Sequence, residues 1–190
     1  MSRSYRISVR ECVSKMIRAE DHVSTNLEML EVLPPEQMAG LLSDELERRG
    51  FLREADGVLV RRDKDVTVTV DPAKGTVTVR AEAEEKVKLE ETRDGRAFDE
   101  AGQHAQGVRE SLRKGLQRDL QKQAAEKESG LQTQVTDRLE AQLGAVRQEL
   151  DQAVNRVTAE ALKRKAAQLG RIKEITEDPQ AGSLTIVVEV

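Results

Sequence analysis

Lys163, Arg164 and Lys165 stand together, and Arg171 and Lys173 follow close behind. Ammonium and guanidinium groups this near to one another suit phosphate oxygens or the carboxylates of an acidic partner. The plainer reading is that cations near a helix C-terminus complement the helix dipole. No aromatic residue is interleaved with them to stack on bases, and the formal net charge of the chain is −4, so no long-range field gathers a polyanion. An acidic protein surface is therefore the preferred ligand of Lys163, Arg164, Lys165, Arg171 and Lys173, and nucleic acid the weaker alternative. The remaining reactive groups are scattered. Cys12, between Glu11 and Val13, has no adjacent base to activate it and reads as a packed thiol. His22 follows Asp21, which suits a surface polar pair, and His104 reads as a solvated helix position. One Cys and two His this far apart are too few for a transition-metal site. Glu82, Glu84, Glu85, Glu90 and Glu91 invite a cation, yet acidic residues on an exposed strand usually only solvate it. No glycines have the spacing of a phosphate loop. The expectation is a chain without catalytic residues, cofactor or metal: not an enzyme.

The elements that must position these groups start with Tyr5, Ile7 and Val9, which alternate with Arg6, Ser8 and Arg10 as in a half-buried strand. The stretch 11–32 is ambiguous, and residues 27–33 read as a second strand. Pro34-Pro35 opens a helix, where a missing N–H costs nothing, and Met38, Leu41, Leu42 and Leu46 give it one apolar face. Gly50 then offers a left-handed C′ position, with Phe51 folding back toward Leu46. Val66, Val68 and Val70, then Val77 and Val79, alternate with threonines on either side of Asp71-Pro72-Ala73-Lys74-Gly75. This is an antiparallel pair joined by a tight turn. Ala81, Ala83, Val87 and Leu89 extend the second strand, and residues 92–96, with Asp94-Gly95, read as an exit linker. A similar device, Asp178-Pro179-Gln180-Ala181-Gly182, closes the C-terminus between Ile172, Ile175 and the run 184–190. A hairpin that short is marginal alone, so the expectation is that it completes the N-terminal sheet.

Between them, residues 98–169 contain no proline and carry an apolar stripe: Phe98, Ala101, Ala105, Val108, Leu112, Leu116, Leu120 and Ala124, then Leu131, Val135, Leu139, Leu143, Val146, Leu150, Val154 and Val157. The steps average about 3.7 residues, closer to an eleven-residue repeat than to a heptad. Such a stripe must be buried, either against the other half of the arm or against another chain. Ser129-Gly130 suits the tip of an antiparallel helical hairpin, which would bring the last strands back to the first sheet. A continuous rod is the alternative, and it would strand the C-terminal hairpin at its far end. The expected fold is α+β: a small antiparallel sheet with one short helix and an inserted helical arm, the coiled-coil hairpin favoured. The expected boundaries are 1–95 for the sheet domain, 96–170 for the arm and 171–190 for the returning hairpin.

Charged residues make up 35% of the 190 residues and aromatics 2%, a composition of coiled coils and long exposed helices. The core must come from aliphatic side chains and will be small. A lone Cys fits a reducing compartment. No apolar run is long enough to span a bilayer, and no signal-peptide core is evident. A cytoplasmic protein without membrane insertion is expected.

The opening Ser4-Tyr5-Arg6-Ile7-Ser8-Val9-Arg10-Glu11, the helix start Leu33-Pro34-Pro35-Glu36-Gln37-Met38-Ala39 and the ending over 155–190 resemble a group of small bacterial accessory proteins. These are associated with AAA+ ATPases of the FtsH or MoxR type in multi-gene ternary systems. The resemblance brings no active-site residues with it. What it implies is a non-enzymatic protein–protein interaction or adaptor module working beside an ATPase encoded elsewhere. The alternatives are a self-assembling structural coiled-coil protein, in which the arm makes a homo-oligomer, and a weak nucleic-acid binder acting through the 163–173 cluster.

Overall fold

The computed structural model describes residues 4–98, 102–178 and 183–189. Its elements are β1 (Tyr5–Asn26), α1 (Pro35–Arg48), β2 (Leu52–Arg53), β3 (Leu59–Asp63), β4 (Val66–Asp71), β5 (Thr76–Ala97), α2 (Gln103–Leu169), β6 (Arg171–Asp178) and β7 (Ser183–Glu189). The first five strands form one sheet in the order β1-β5-β4-β3-β2, and β6 pairs with β7 as a separate two-stranded sheet. The α+β class stands as expected, but the sheet is large, with two strands of 22 residues.

Several expectations are corrected. The arm is one continuous helix of 67 residues, about 100 Å long at a 1.5 Å rise per residue. It does not fold back at Ser129-Gly130. A lone glycine lowers helix stability only modestly, and the stripe stays in phase across it, so nothing forces a break. The C-terminal hairpin, which was to complete the main sheet, pairs within itself: Ile172 faces Val188 and Ile175 faces Ile186. Its turn, Asp178-Pro179-Gln180-Ala181-Gly182, lies outside the described residues from Pro179 onward, as do Ala101 and Val190. Residues 27–33 are not a strand, because the first strand runs through the ambiguous stretch to Asn26. Residues 92–96 are not a linker but the end of β5. Gly95 serves close packing there: a Cβ on it would lie 2.9 Å from both Val108 and Leu112.

The chain divides into two compact units, 1–20 with 82–136 and 21–81 with 137–190, and β1, β5 and α2 each pass from one into the other. In the first unit the odd-numbered residues of β1 and β5 face α2 and the even-numbered ones face solvent. Ile7, Ala97 and Ala105 form a buried cluster with Val9, Val108 and Leu112 packed against it. Ile17, Ala19, Val87, Leu116, Leu120, Leu131 and Val135 are buried as well. Polar residues on the inward face reach charged groups of the helix: Glu11 meets Arg113 at 2.7 Å, Lys15 meets Glu128 at 3.0 Å, and Arg93 pairs with Asp119. The stripe is therefore buried against strands of its own chain, a possibility the sequence reading did not include.

In the second unit α1 has the cap anticipated for it. Gly50 adopts φ +85°. Its N–H donates to the Glu47 carbonyl at 3.0 Å and that of Phe51 to the Leu46 carbonyl at 3.1 Å, the bonding pattern of a Schellman end. The β4–β5 turn is also as read. Gly75 has φ +63°, and Asp71 Oδ1 accepts the N–H groups of Ala73 and Lys74, each at 3.1 Å. The core joins Leu41, Leu42 and Leu46 of α1, Leu59, Val68, Val70, Val77 and Val79 of the strands, and Leu139, Leu150, Val157 and Ala161 of α2.

Candidate interaction surface

The basic cluster is set on the last turns of α2 and the first residues of β6, within the second unit. Carboxylates are interleaved with it. Lys163 pairs with Glu177 of β6, Arg164 with Glu160 one turn earlier at 3.2 Å, and Lys173 with Glu189 of β7 at 3.1 Å. Lys165 and Arg171 make no ion pair among the described residues. Apart from the half-buried Lys163, these side chains are largely solvent-exposed, so the pairs contribute little to stability. Their effect is to lower the local positive field from five cations to about two.

Beside this cluster lies an open groove of about 640 Å³. Leu30 from the 27–34 segment, Arg156 and Leu162 from α2, and Glu177 and Leu184 from the hairpin line it. Leu30 is 68% exposed and Leu162 38%. On the hairpin, Ile175 and Val187 are exposed too. Exposed aliphatic groups rimmed by an ion pair are the usual anatomy of a protein-contact patch. The sequence signal for this patch was weak, because Leu30 belonged to a stretch read as strand and Leu184 to a strand expected in the main sheet.

A second polar constellation anchors α2 to the sheet of this unit. The Arg61 guanidinium donates to both carboxylate oxygens of Glu149, at 2.6 and 2.7 Å. It also lies over the Phe51 ring, 4.6 Å from its centroid. Arg49 donates to the Glu149 carbonyl at 3.3 Å and to Glu45 at 2.8 Å, and Glu45, only 5% exposed, also meets Arg156 at 3.5 Å. Sequence reasoning missed this network entirely. Arg61 and Glu149 are 88 residues apart, and no local pattern marks either. The hydrogen bonds from Arg61, aided by its charge and opposed by partial burial, hold the Glu149 carboxyl below the ordinary glutamate range.

A depressed carboxylate stabilises the fold above its unfolded-state pKa, and that contribution is lost as pH falls through the folded-state value. Glu149→Gln keeps one acceptor but loses the charge and the bidentate geometry. It should cost about 1 kcal/mol at neutral pH. The gap to wild type in urea-unfolding free energy should close on acidification. A gap that stays constant with pH would show that Glu149 does not act as a carboxylate here.

The other groups weighed for chemistry are placed apart. Cys12 is exposed on the outward face of β1. His22 lies on the same strand, its N–H bonded to Asp21 at 2.8 Å. The His104 ring stands 5.2 Å from that of Phe98. Glu84 and Glu90 pair with Arg18 and Arg10 of the neighbouring strand, and Glu91 binds Gln123. Among the described residues no three His, Cys, Asp or Glu are grouped to hold a metal ion. No helix among them is long and apolar enough to cross a membrane.

Residues 1–190, the whole chain, match the family described as FtsH ternary system domain X5. The chain belongs to that family. The resemblance seen at both ends of the sequence thus extends over its full length, and the association with an FtsH-type ternary system is the family's own. A comparison with curated proteins and with solved structures found no match.

Proposed function

We propose that this domain X5 protein is a non-enzymatic adaptor: it binds a protein component of an FtsH-type AAA+ ATPase system and performs no chemistry of its own. The observation carrying this reading is the match of the entire chain to a family defined by that system. The groove of the second unit supports it. Leu30, Leu162 and Leu184 offer apolar anchors, and Arg156 with the Lys163–Glu177 pair offers a charged rim for a partner with exposed carboxylates. The nucleic-acid reading is weaker, because Glu160, Glu177 and Glu189 answer three of the five cations.

The test is co-expression with the ATPase and the remaining components of the ternary system. The expected result is a stoichiometric complex that survives gel filtration. Leu30→Glu combined with Leu162→Glu should weaken it at least tenfold by placing carboxylates where apolar groups dock, while leaving the circular dichroism unchanged. A complex unaffected by the double substitution would remove the groove from the reading. Absence of any complex with those components would remove the adaptor role itself.

A further inference from the structure

Strand β1 ends the five-stranded sheet, with β5 as its one neighbour in the strand order. Over the first unit it is long, and its exposed side chains include Val13 and Met16, 36% and 49% exposed. A long terminal strand is a template for another strand, and natural sheets usually block it with inward-pointing charges. Here Glu11 and Lys15 are such charges, and their spacing decides which partner they admit.

We propose that β1 pairs antiparallel with β1 of a second copy of this chain, about a twofold axis at Val13. In that register Glu11 lies opposite the partner's Lys15, Val9 opposite the partner's Ile17, and Arg6 opposite the partner's Glu20. These three pairs are either of opposite charge or β-branched on both sides, the combinations that stabilise cross-strand neighbours, while Arg10 and Arg18 fall opposite the uncharged Met16 and Ser8. The twofold axis repeats every pair, as an isologous interface requires. Because Glu11 already holds Arg113 and Lys15 holds Glu128, the contact becomes an alternating chain of charges, Arg113, Glu11, the partner's Lys15 and the partner's Glu128. Sliding the pair by two residues either way sets Arg18 opposite Arg6 or opposite Arg10, so the same charges reject the neighbouring registers.

The geometry of the first unit also fits. In that unit α2 contacts both β1 and β5. Two strands per copy, about 4.8 Å apart, set the two helices about 10 Å apart on one face of a joined sheet, the distance at which helices pack.

The experiment combines mass and cross-linking. Sedimentation equilibrium should give about twice the 21.2 kDa of one chain. In a Cys12→Ser background, Val13→Cys should form an intermolecular disulfide on mild oxidation, because residues facing each other at the axis have Cα atoms about 4.5–5.5 Å apart. Glu11→Cys alone in that background should stay largely reduced, while a mixture of Glu11→Cys and Lys15→Cys chains should cross-link. If Val13→Cys disturbs folding, the native Cys12 serves instead: its two copies would lie diagonally, about 7–8 Å apart, within reach of a short bismaleimide. A monomer at all concentrations overturns the proposal. So does a dimer in which neither Val13→Cys nor the native Cys12 cross-links.

Discussion

Leu120→Ala should lower the free energy of unfolding by about 2–5 kcal/mol. Leu120 is fully buried, with 0% of its side chain exposed, and it lies in the part of α2 that belongs to the first unit. That unit has few strands, so the space left by three carbons and their hydrogens cannot be closed by repacking without moving the helix. The informative readout is where amide exchange accelerates. Protection should fall in residues 5–20 and 82–97 together with the helix, because the stripe and those strands share one core. Faster exchange confined to α2, with both strands unaffected, would mean that the stripe is buried against something other than its own sheet. Leu30→Ala, at a side chain 68% exposed, is the matching control and should stay within about 0.5 kcal/mol of wild type.

Gly170→Ala should release the C-terminal hairpin. Gly170 joins the end of α2 to β6, and a Cβ built on it collides with the carbonyl oxygen of Glu189 and comes within 3.0 Å of the Val188 side chain. The collision is with backbone, so no rotamer change relieves it. The hairpin must slip in register or swing away, at a cost of about 3 kcal/mol, more than an isolated two-stranded sheet can absorb. The β6–β7 amides should lose protection while the core of the second unit, around Leu42, Leu59 and Val70, keeps its own. Unchanged exchange at Ile175 and Ile186 would show that the hairpin tolerates a side chain there. Since Leu184 and Glu177 line the groove, the same variant should also weaken the complex expected of the adaptor.

What was legible in the sequence was whatever neighbours along the chain decide. The Pro35 start and Gly50 end of α1, the Asp71 to Gly75 turn and the valine–threonine alternation of β4 and β5 all rest on contacts within a few residues, and all are found as read. The apolar stripe of α2 was equally visible, since its period is a property of one helix. The partner of that stripe was not. Helical spacing states that a face must be covered but is silent about whether a helix or a sheet covers it. The two long strands that cover it were themselves obscured, because their inward faces carry Glu11, Lys15, Glu91 and Arg93 where an alternating pattern calls for apolar residues. Those charges are tolerated because Arg113, Glu128, Gln123 and Asp119 wait opposite them on the helix, and such pairings between distant segments have no local signature.

The candidate surface divides in the same way. Lys163, Arg164, Lys165, Arg171 and Lys173 were evident as a run of positive charge, but their neutralisation by Glu160, Glu177 and Glu189 depends partly on where β6 and β7 pack. The Arg61–Glu149 fork joins β3 to α2 across 88 residues, and the groove at Leu30 brings three separate segments together, so both depend on tertiary packing altogether. The local elements, their caps and turns, and the need to bury one long helical face follow from spacing and backbone chemistry within a segment, and so could be read from the residues alone. That α2 runs unbroken, that strands of its own chain cover it, and that the last hairpin stands as a separate sheet are outcomes of folding in three dimensions, because they turn on which distant surfaces fit one another.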